Sequence, residues 1–501
     1  MKSVVRATTV VELLERSTSP LVVENDGEWI DLDCRALLDR GAQIAASFSV
    51  AGLVAGDRVA VQMDNGLSYL EVLAACAVGR FVAMSVNSRF SDQLAESLIA
   101  RSGATLTIRS RDDLASAGAT TAATGSSADV ANPADRFVIF TTSGTTSAPK
   151  LVVHQQRSIA VHAGDVADRF GYNADSVMLM TLPLCGTFGL TAFAGALAGH
   201  SRLIIPTSFD AQQAGSLVEQ HGVTTMHGSD DMFHRLLLTD ADLSTIEVAG
   251  YGRFNSSLDG IVSIAEKRGV RLAGLYGMSE VQALFTFRDP TEPLELREPG
   301  GGSLTSAAAA YRVVVDQGDE GELQLQGPSL FEGYLADGGA EIDLELTRSN
   351  FDGAWFRTGD LAKAERPTSF QFLTRMGDVL RLSGFLVAPA EIEAALIEVD
   401  GIAAAQVVAV ERPNGNRPVA FVLLDDDPSL NRDTPFDDTP FDDAAFDDAL
   451  EQRAIAHCRE TLAKFKAPVR VVPLDAFPVT DGPNGVKIQR AKLRKHAAGL
   501  F

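Results

Sequence analysis

The chain has 501 residues, 46% of them hydrophobic and 22% charged, with a formal net charge of -23 at pH 7. That length allows roughly two to four domains with large cores, and the acidic balance excludes a non-specific nucleic-acid binder, which needs a basic face to displace counterions. Four dispersed cysteines, Cys34, Cys76, Cys185 and Cys458, without a C-x-x-C pair, weigh against a disulfide framework or zinc site and suit a reducing cytoplasm.

The N-terminal MKSVVRATTVVELLERS lacks the unbroken apolar run of a signal peptide. DRVAVQM (57–63) reads as a buried strand, SYLEVLAACAVG (68–79) as a helix, and FVAMSV (81–86) and TLTIRS (105–110) as further strands. Arg80 and Ser85 interrupt LEVLAACAVGRFVAMSV, the most apolar stretch, so no membrane association is expected. The alternation continues through SVMLMTLPL, the small-residue helix LTAFAGALAG (190–199), RLIIP, HGVTTMHG, the helix LDGIVSIAEKR and VRLAGLYG. Strand, helix, strand in order predicts parallel pairing with crossover helices. From about residue 310, YRVVVD and GELQLQG flank the turn-rich DQGDE and predict a smaller, more antiparallel subdomain. Beyond Arg375, VLRLSGFLVAP, the helix PAEIEAALIEV, the strands AAAQVVAVE and PVAFVLL and a helix over 450–465 predict a small α+β unit. Inside it DTPFDDTPFDDAAFDD (433–448) repeats Phe every five residues, a period of neither helix nor strand, and reads as a solvated insertion or a docking segment for a basic partner.

Chemistry concentrates in four short stretches. Thr141 to Thr146 followed by Lys150 supplies hydroxyls, a glycine and a cation, the ingredients of a phosphate cradle, although G-x-x-x-x-G-K-[ST] is absent and a polar surface loop is the competing reading. LYGMSE puts Glu280 past a strand end, where open α/β sheets bind ligands and where a carboxylate suits Mg²⁺ or merely caps a helix. WFRTGD ends in Asp360, placed to bridge vicinal ribose hydroxyls or to close a turn. KIQRAKLR carries Lys487 on a basic tail that reaches a ligand only by folding back.

Together and in this order, TTSGTTSAPK, YGMSE, GELQLQGPSLFEGY, FRTGD, RMGDVLRLSGFLVAPAEIE and KIQRAKLR resemble the adenylate-forming superfamily, the acyl- and aryl-CoA synthetases, firefly luciferase and the adenylation domains of peptide synthetases. The resemblance spans essentially the whole chain. It implies an α/β fold with a large N-terminal domain (1–376) of stacked mixed and parallel sheets with helices and a β-rich subdomain, and a small mobile α+β C-terminal domain (377–501). It implies an ATP-dependent acid–thiol ligase. A carboxylate attacks the α-phosphate of ATP, and the acyl-adenylate then yields to the thiol of coenzyme A, with Mg²⁺ assisting. By position, Lys487, Glu280 and Ser279 would be catalytic, with Glu280 also holding the metal. Thr142, Ser143, Gly144, Thr145, Thr146, Lys150, Gly250, Tyr251, Gly252, Tyr276, Gly277, Asp360 and Arg375 would bind nucleotide. Asp378 would be the hinge, and Ser383, Gly384 and Phe385 would line the CoA path. Gly186, His227, Gly228 and Met278 would wall the acyl pocket, its glycines leaving room for a bulky aryl, cyclic or polycyclic acid. The expected partners are a small carboxylate or acyl-adenylate and CoA, or a separate carrier protein, with no nucleic acid or membrane, in a cytoplasmic monomer or homodimer.

The sequence departs from the family pattern in four places. Ser147 replaces the usual loop glycine, and a left-handed backbone there would resist it by about 1–2 kcal/mol. Gly186 stands where many relatives carry histidine, AGYGRFN where they show a GGAP-like adenine contact, and Val486 adds a residue before Lys487. These changes cluster in the ATP-using half of the cycle. They keep open a ligase weak in adenylation that mainly transfers a preformed acyl-adenylate to CoA, and, from another class, a non-catalytic binding protein on the same fold.

Overall fold

The computed structural model describes residues 3–118, 130–142, 149–254, 258, 260–315, 319–339, 341–382, 385–412, 415–424, 448–482 and 485–501; at 385, 448, 480–482 and 485–487 the description is of the backbone. The chain divides into two compact units, one of residues 1–252, 260–311 and 325–356, the other of 253–259, 312–324 and 357–501.

The first unit is α/β with mixed sheets. In one sheet the strands run in the order Gly333–Tyr334, Leu151–Gln155, Arg136–Thr141, Val82–Ser85, Arg58–Val61, Leu106–Ile108. The last four pair in parallel, as the alternating pattern predicts, while Leu151–Gln155 is antiparallel to both its neighbours. In the other, Leu272–Met278, Val248–Gly252, Thr225–Ser229, Val177–Leu179 and Arg202–Ile205 are parallel neighbours, and Gln282–Phe287 returns antiparallel on Leu272–Met278. Strands buried on both faces need continuous apolar runs; Leu203, Ile204 and Ile205 are all fully buried, and Ile204 lies in a cluster with Leu179, Met226, Ala249 and Leu272. The predicted small-residue helix begins at Thr187, three residues before its expected start, with Gly186 as N-cap, and every residue from Thr187 to Ala198 is buried. A helix apolar all round belongs inside.

The second unit holds strand residues within 312–324 and 357–375 and an α+β body. Ile402–Val410 pairs antiparallel with Arg417–Leu424, which pairs in parallel with Arg470–Pro473. Successive side chains of Ile402–Val410 serve two clusters, Ala405 and Val407 packing with Ile392, Leu396 and Cys458, and Val408 and Val410 with Leu493 and Ala497. The helix expected over 450–465 runs Asp448–Thr461; extended backbone at Ala463 (φ -60, ψ 136) ends it before a 3-10 turn at Lys464–Lys466. The repeat at 433–447 lies outside the described residues. Among the described residues, no helix is long and apolar enough to cross a membrane.

Candidate active site

The hydroxyl-rich loop is fixed at its stem. Thr141 stands opposite Leu151, the Thr142 N–H donates to the Lys150 carbonyl at 3.0 Å, and the Lys150 N–H donates to the Thr142 hydroxyl oxygen at 3.0 Å. Ser143, Gly144, Thr145, Thr146 and Ser147 lie outside the described residues. Half-buried Lys150 sets its ammonium 4.4 Å from the centroid of the Tyr334 ring and donates to Asn350 Oδ1 at 3.4 Å. Among the described residues no carboxylate pairs with it, and 143–148 contain no acidic residue. The Tyr334 hydroxyl in turn donates to Glu280 Oε1 at 2.9 Å. Burial and the Glu280 charge hold that phenol well above its ordinary pKa.

Ser279, Glu280 and Val281 form the turn between Leu272–Met278 and Gln282–Phe287, with Met278 opposite Gln282. The turn and the residue that follows it are anchored. His154 Nε2–H donates to the Ser279 carbonyl at 2.7 Å, and the Glu280 carbonyl accepts the Phe331 N–H at 2.8 Å. The Gln282 amide donates to the carbonyls of Ser158 at 2.8 Å and Ser329 at 3.2 Å, which helps sustain its left-handed backbone, φ 66. Glu280 is buried, whereas Ser279 and Met278 are half-buried. A Cβ at Gly277 would stand 2.5 Å from Ala283 Cα, so the two strands can close this tightly only over glycine. Tyr276 is buried and its hydroxyl donates to Met278 Sδ at 3.6 Å.

Beside this turn the parallel register sets His227 against Gly250, Gly228 against Tyr251, and Gly250 against Ala273. The Gly250 N–H donates to His227 Nδ1 at 3.2 Å, and a Cβ at Gly250 would lie 2.7 Å from that nitrogen. His227 Nε2 bonds the Tyr172 hydroxyl, its ring meets Phe170 edge-on at 5.3 Å, and burial pushes its pKa down to about 4. The Tyr251 side chain is buried in the core, with its hydroxyl donating to the Glu298 carbonyl at 2.7 Å. Gly186 has ordinary extended backbone, φ -97 and ψ 151.

In the second unit Asp360 stands opposite Arg375, and the two pair at 2.9 Å, the carboxylate 1% and the guanidinium 54% exposed. The Asp360 N–H donates to Thr358 Oγ1 at 3.0 Å. The Asp378 N–H donates to the Arg375 carbonyl at 2.9 Å, and its carboxylate accepts from Arg494 Nη2 at 2.7 Å. Leu380–Leu382 and Phe385–Val387 form a hairpin around Ser383 and Gly384, which lie outside the described residues. Lys487 lies on the strand Gly485–Ile488, opposite Thr480.

The structure therefore brings Thr142, Lys150, Ser279 and Glu280 into one network in the first unit, and Asp360, Arg375 and Asp378 into one in the second. His154, Tyr334, Asn350 and Arg494 belong to these networks and went unread in the sequence. Tyr334 closes the motif GELQLQGPSLFEGY and Arg494 closes KIQRAKLR, the available signals among them; His154 and Asn350 stand in none of the family motifs. Chemically, a lysine without a carboxylate partner suits an anion, and a buried carboxylate oxygen beside it suits a hard divalent cation.

The AMP-binding enzyme family matches residues 15–335, and the AMP-binding enzyme C-terminal domain matches residues 391–481. The chain is 26% identical over 483 residues to the feruloyl-CoA synthase of Amycolatopsis sp, covering 91% of this chain and 92% of that one. It is 28% identical over 383 residues to the 3-[(3aS,4S,7aS)-7a-methyl-1,5-dioxo-octahydro-1H-inden-4-yl]propanoyl:CoA ligase of Mycobacterium tuberculosis (strain ATCC 25618 / H37Rv), covering 72% of this chain and 67% of that one. The fold is shared with ATP-bound MatB from Rhodopseudomonas palustris, at a TM-score of 0.81 with 22% identity over 99% of each chain. The chain belongs to the AMP-binding enzyme family, within the adenylate-forming superfamily, and is an ATP-dependent acid–thiol ligase of the acyl- and aryl-CoA synthetase group.

Proposed function

We propose that the enzyme activates a bulky aryl, cyclic or polycyclic carboxylic acid and passes it to coenzyme A. The observation that carries the nucleotide half is the network of Lys150, Tyr334 and Glu280: a cation with no carboxylate partner among the described residues, one aromatic ring away from a buried carboxylate. Two glycines on the predicted acyl-pocket segments, Gly186 and Gly252, support a wide acid, as do the names of the two ligases above.

In the first step a carboxylate oxygen bonds to the α-phosphorus and the bond to pyrophosphate breaks. In the second, the CoA sulfur bonds to the acyl carbon, AMP leaves, and the thiol proton passes to solvent. The loop 142–146 and Lys150 hold the outer phosphates, Ser279 contacts the α-phosphate, Asp360 with Arg375 holds the ribose, and the Gly250–Gly252 backbone and Tyr276 border the adenine. Lys487 stabilises charge building on the α-phosphate. Residues 377–501 act as the moving lid with Asp378 as hinge, and Ser383, Gly384 and Phe385 line the thiol path. Glu280 fits Mg²⁺, which commonly takes one or two carboxylates and completes its shell with water and substrate phosphates; among the described residues no cluster of three or more His, Cys, Asp or Glu offers a full protein cage. When bound, that ion would neutralise phosphate charge.

A panel of carboxylic acids, assayed with ATP, Mg²⁺ and CoA for CoA-ester formation by mass spectrometry, tests this function. Aryl or polycyclic acids are the expected products; activity confined to acetate and propionate contradicts the substrate class. Ser147 favours a second reading, a ligase weak in adenylation. Strong carboxylate-dependent ATP–pyrophosphate exchange eliminates it, while CoA-ester formation only from a supplied acyl-adenylate establishes it.

A further inference from the structure

We infer that Tyr334 is a positioning residue for the phosphate and metal end of the nucleotide site, its ring holding Lys150 and its hydroxyl holding Glu280. The inference rests on the proposed nucleotide-binding roles of those two residues and assigns a role to a third.

Tyr334 is well built to hold others. The strand Gly333–Tyr334 pairs antiparallel with Leu151–Gln155, Tyr334 opposite Val152, so it lies beside the strand that Lys150 enters. Its N–H donates to Thr347 Oγ1 at 3.0 Å, its carbonyl accepts the Asp343 N–H at 2.8 Å, and its ring meets Phe331 edge-on at 4.9 Å. The side chain is 1% exposed. It faces two groups of opposite charge that would otherwise attract. A direct lysine–glutamate pair would occupy both charges, and an incoming triphosphate with its metal would have to break it. Instead the ammonium rests 4.4 Å from the ring centroid and the carboxylate accepts the hydroxyl at 2.9 Å. A cation over a π face is held by the ring quadrupole while its N–H donors stay available. A carboxylate with one oxygen hydrogen-bonded is oriented, and its other oxygen is presented in a fixed direction. Asn350, a neutral acceptor 3.4 Å from the ammonium, extends the arrangement without adding charge.

Two variants of the full-length chain separate the contributions. Tyr334→Phe keeps the ring and removes the hydroxyl; Tyr334→Leu removes both. ATP binding is measured by calorimetry across a Mg²⁺ series that includes a chelated point, with thermal unfolding of each protein without nucleotide. For Tyr334→Phe, the Mg²⁺ concentration giving half-maximal tightening should rise about tenfold, as for other outer-shell partners, while ATP affinity without metal stays near wild type. Tyr334→Leu should also weaken metal-free ATP binding about two- to fivefold, an effect that vanishes in a Lys150→Met background. Wild-type Mg²⁺ dependence in Tyr334→Phe, even with a lowered melting temperature, overturns the inference and leaves the functional reading standing. A wild-type protein that binds no ATP with or without Mg²⁺ overturns the reading itself and the inference with it. If Tyr334→Leu does not fold, the Tyr334→Phe result decides alone.

Discussion

His154 and His227 shape the site while staying uncharged. His154 donates to the Ser279 carbonyl, His227 accepts from the Gly250 N–H, and burial pushes both pKa values from 6.5 down to about 4. In the unfolded chain each takes a proton near pH 6.5; in the fold each refuses it until about pH 4. Between those values the unfolded state binds more protons, so stability falls as pH drops through that window and is insensitive to these groups above it. Each contributes up to about 3 kcal/mol at the acid limit, and buried His162, also shifted down by desolvation, acts in the same sense. Urea midpoints should therefore be level from pH 7 to 8 and fall steeply from 6 to 4. His154→Gln, which retains a donor for Ser279, should flatten part of that fall; a midpoint that rises on acidification contradicts the assignment. At this scale the sequence marked Lys150 and Glu280 as candidates, because each sits in a short motif whose residue types suit a ligand. It did not show His154 or Tyr334, since nothing local says that position 154 meets position 279, 125 residues on.

The hairpin of Leu272–Met278 and Gln282–Phe287 is the element on which the site depends. Its first strand continues the parallel series and its second turns back, which leaves Ser279 and Glu280 at the tip. Tight closure follows from Gly277, where an added Cβ would stand 2.5 Å from Ala283 Cα and 2.7 Å from the Gln282 carbonyl oxygen. Both obstacles are backbone, so Gly277→Ala must part the strands rather than displace a side chain. The expected loss is about 1–3 kcal/mol, the usual range for overpacking. Because the turn carries Ser279 and Glu280, ATP affinity should fall together with melting temperature. A variant with wild-type stability and affinity would show that the strands tolerate separation there. Elements of this kind were legible where apolar runs were long and bounded, as at VRLAGLYG, RLIIP and PVAFVLL. The antiparallel pair Pro20–Asn25 and Glu28–Asp33 was not: EWIDLD is charged or exposed at most positions and carries little burial signal. The end of the 448–461 helix was overrun for the opposite reason, since Leu462 and Phe465 pack against the same core from beyond it.

At the scale of the whole molecule, the order of motifs was informative where composition was not. A net charge of -23 says nothing in favour of a triphosphate ligand, yet Lys150 and Lys487 are local cations in segments poor in acid. The residues of the proposed site also divide between the two units: Glu280, Ser279 and Lys150 belong to the first, Asp360, Asp378 and Lys487 to the second. An enzyme that used one fixed arrangement for both steps would lose both when any of these is removed. A lid that presents different faces in the two steps would not. Under the proposed function Lys487 serves only the step in which charge builds on the α-phosphate. Lys487→Ala should then lower carboxylate-dependent pyrophosphate release by about 10²–10³-fold, the cost of removing one such electrostatic contact. CoA-ester formation from a supplied acyl-adenylate should stay within a few-fold of wild type, because the anhydride bond to be broken already exists. Rapid-quench measurement of the two half-reactions gives both numbers from one preparation. Equal loss in the two steps would place Lys487 in a structural role or in a shared site. No loss in either would remove it from the mechanism, and with it the reason for a lysine-bearing lid.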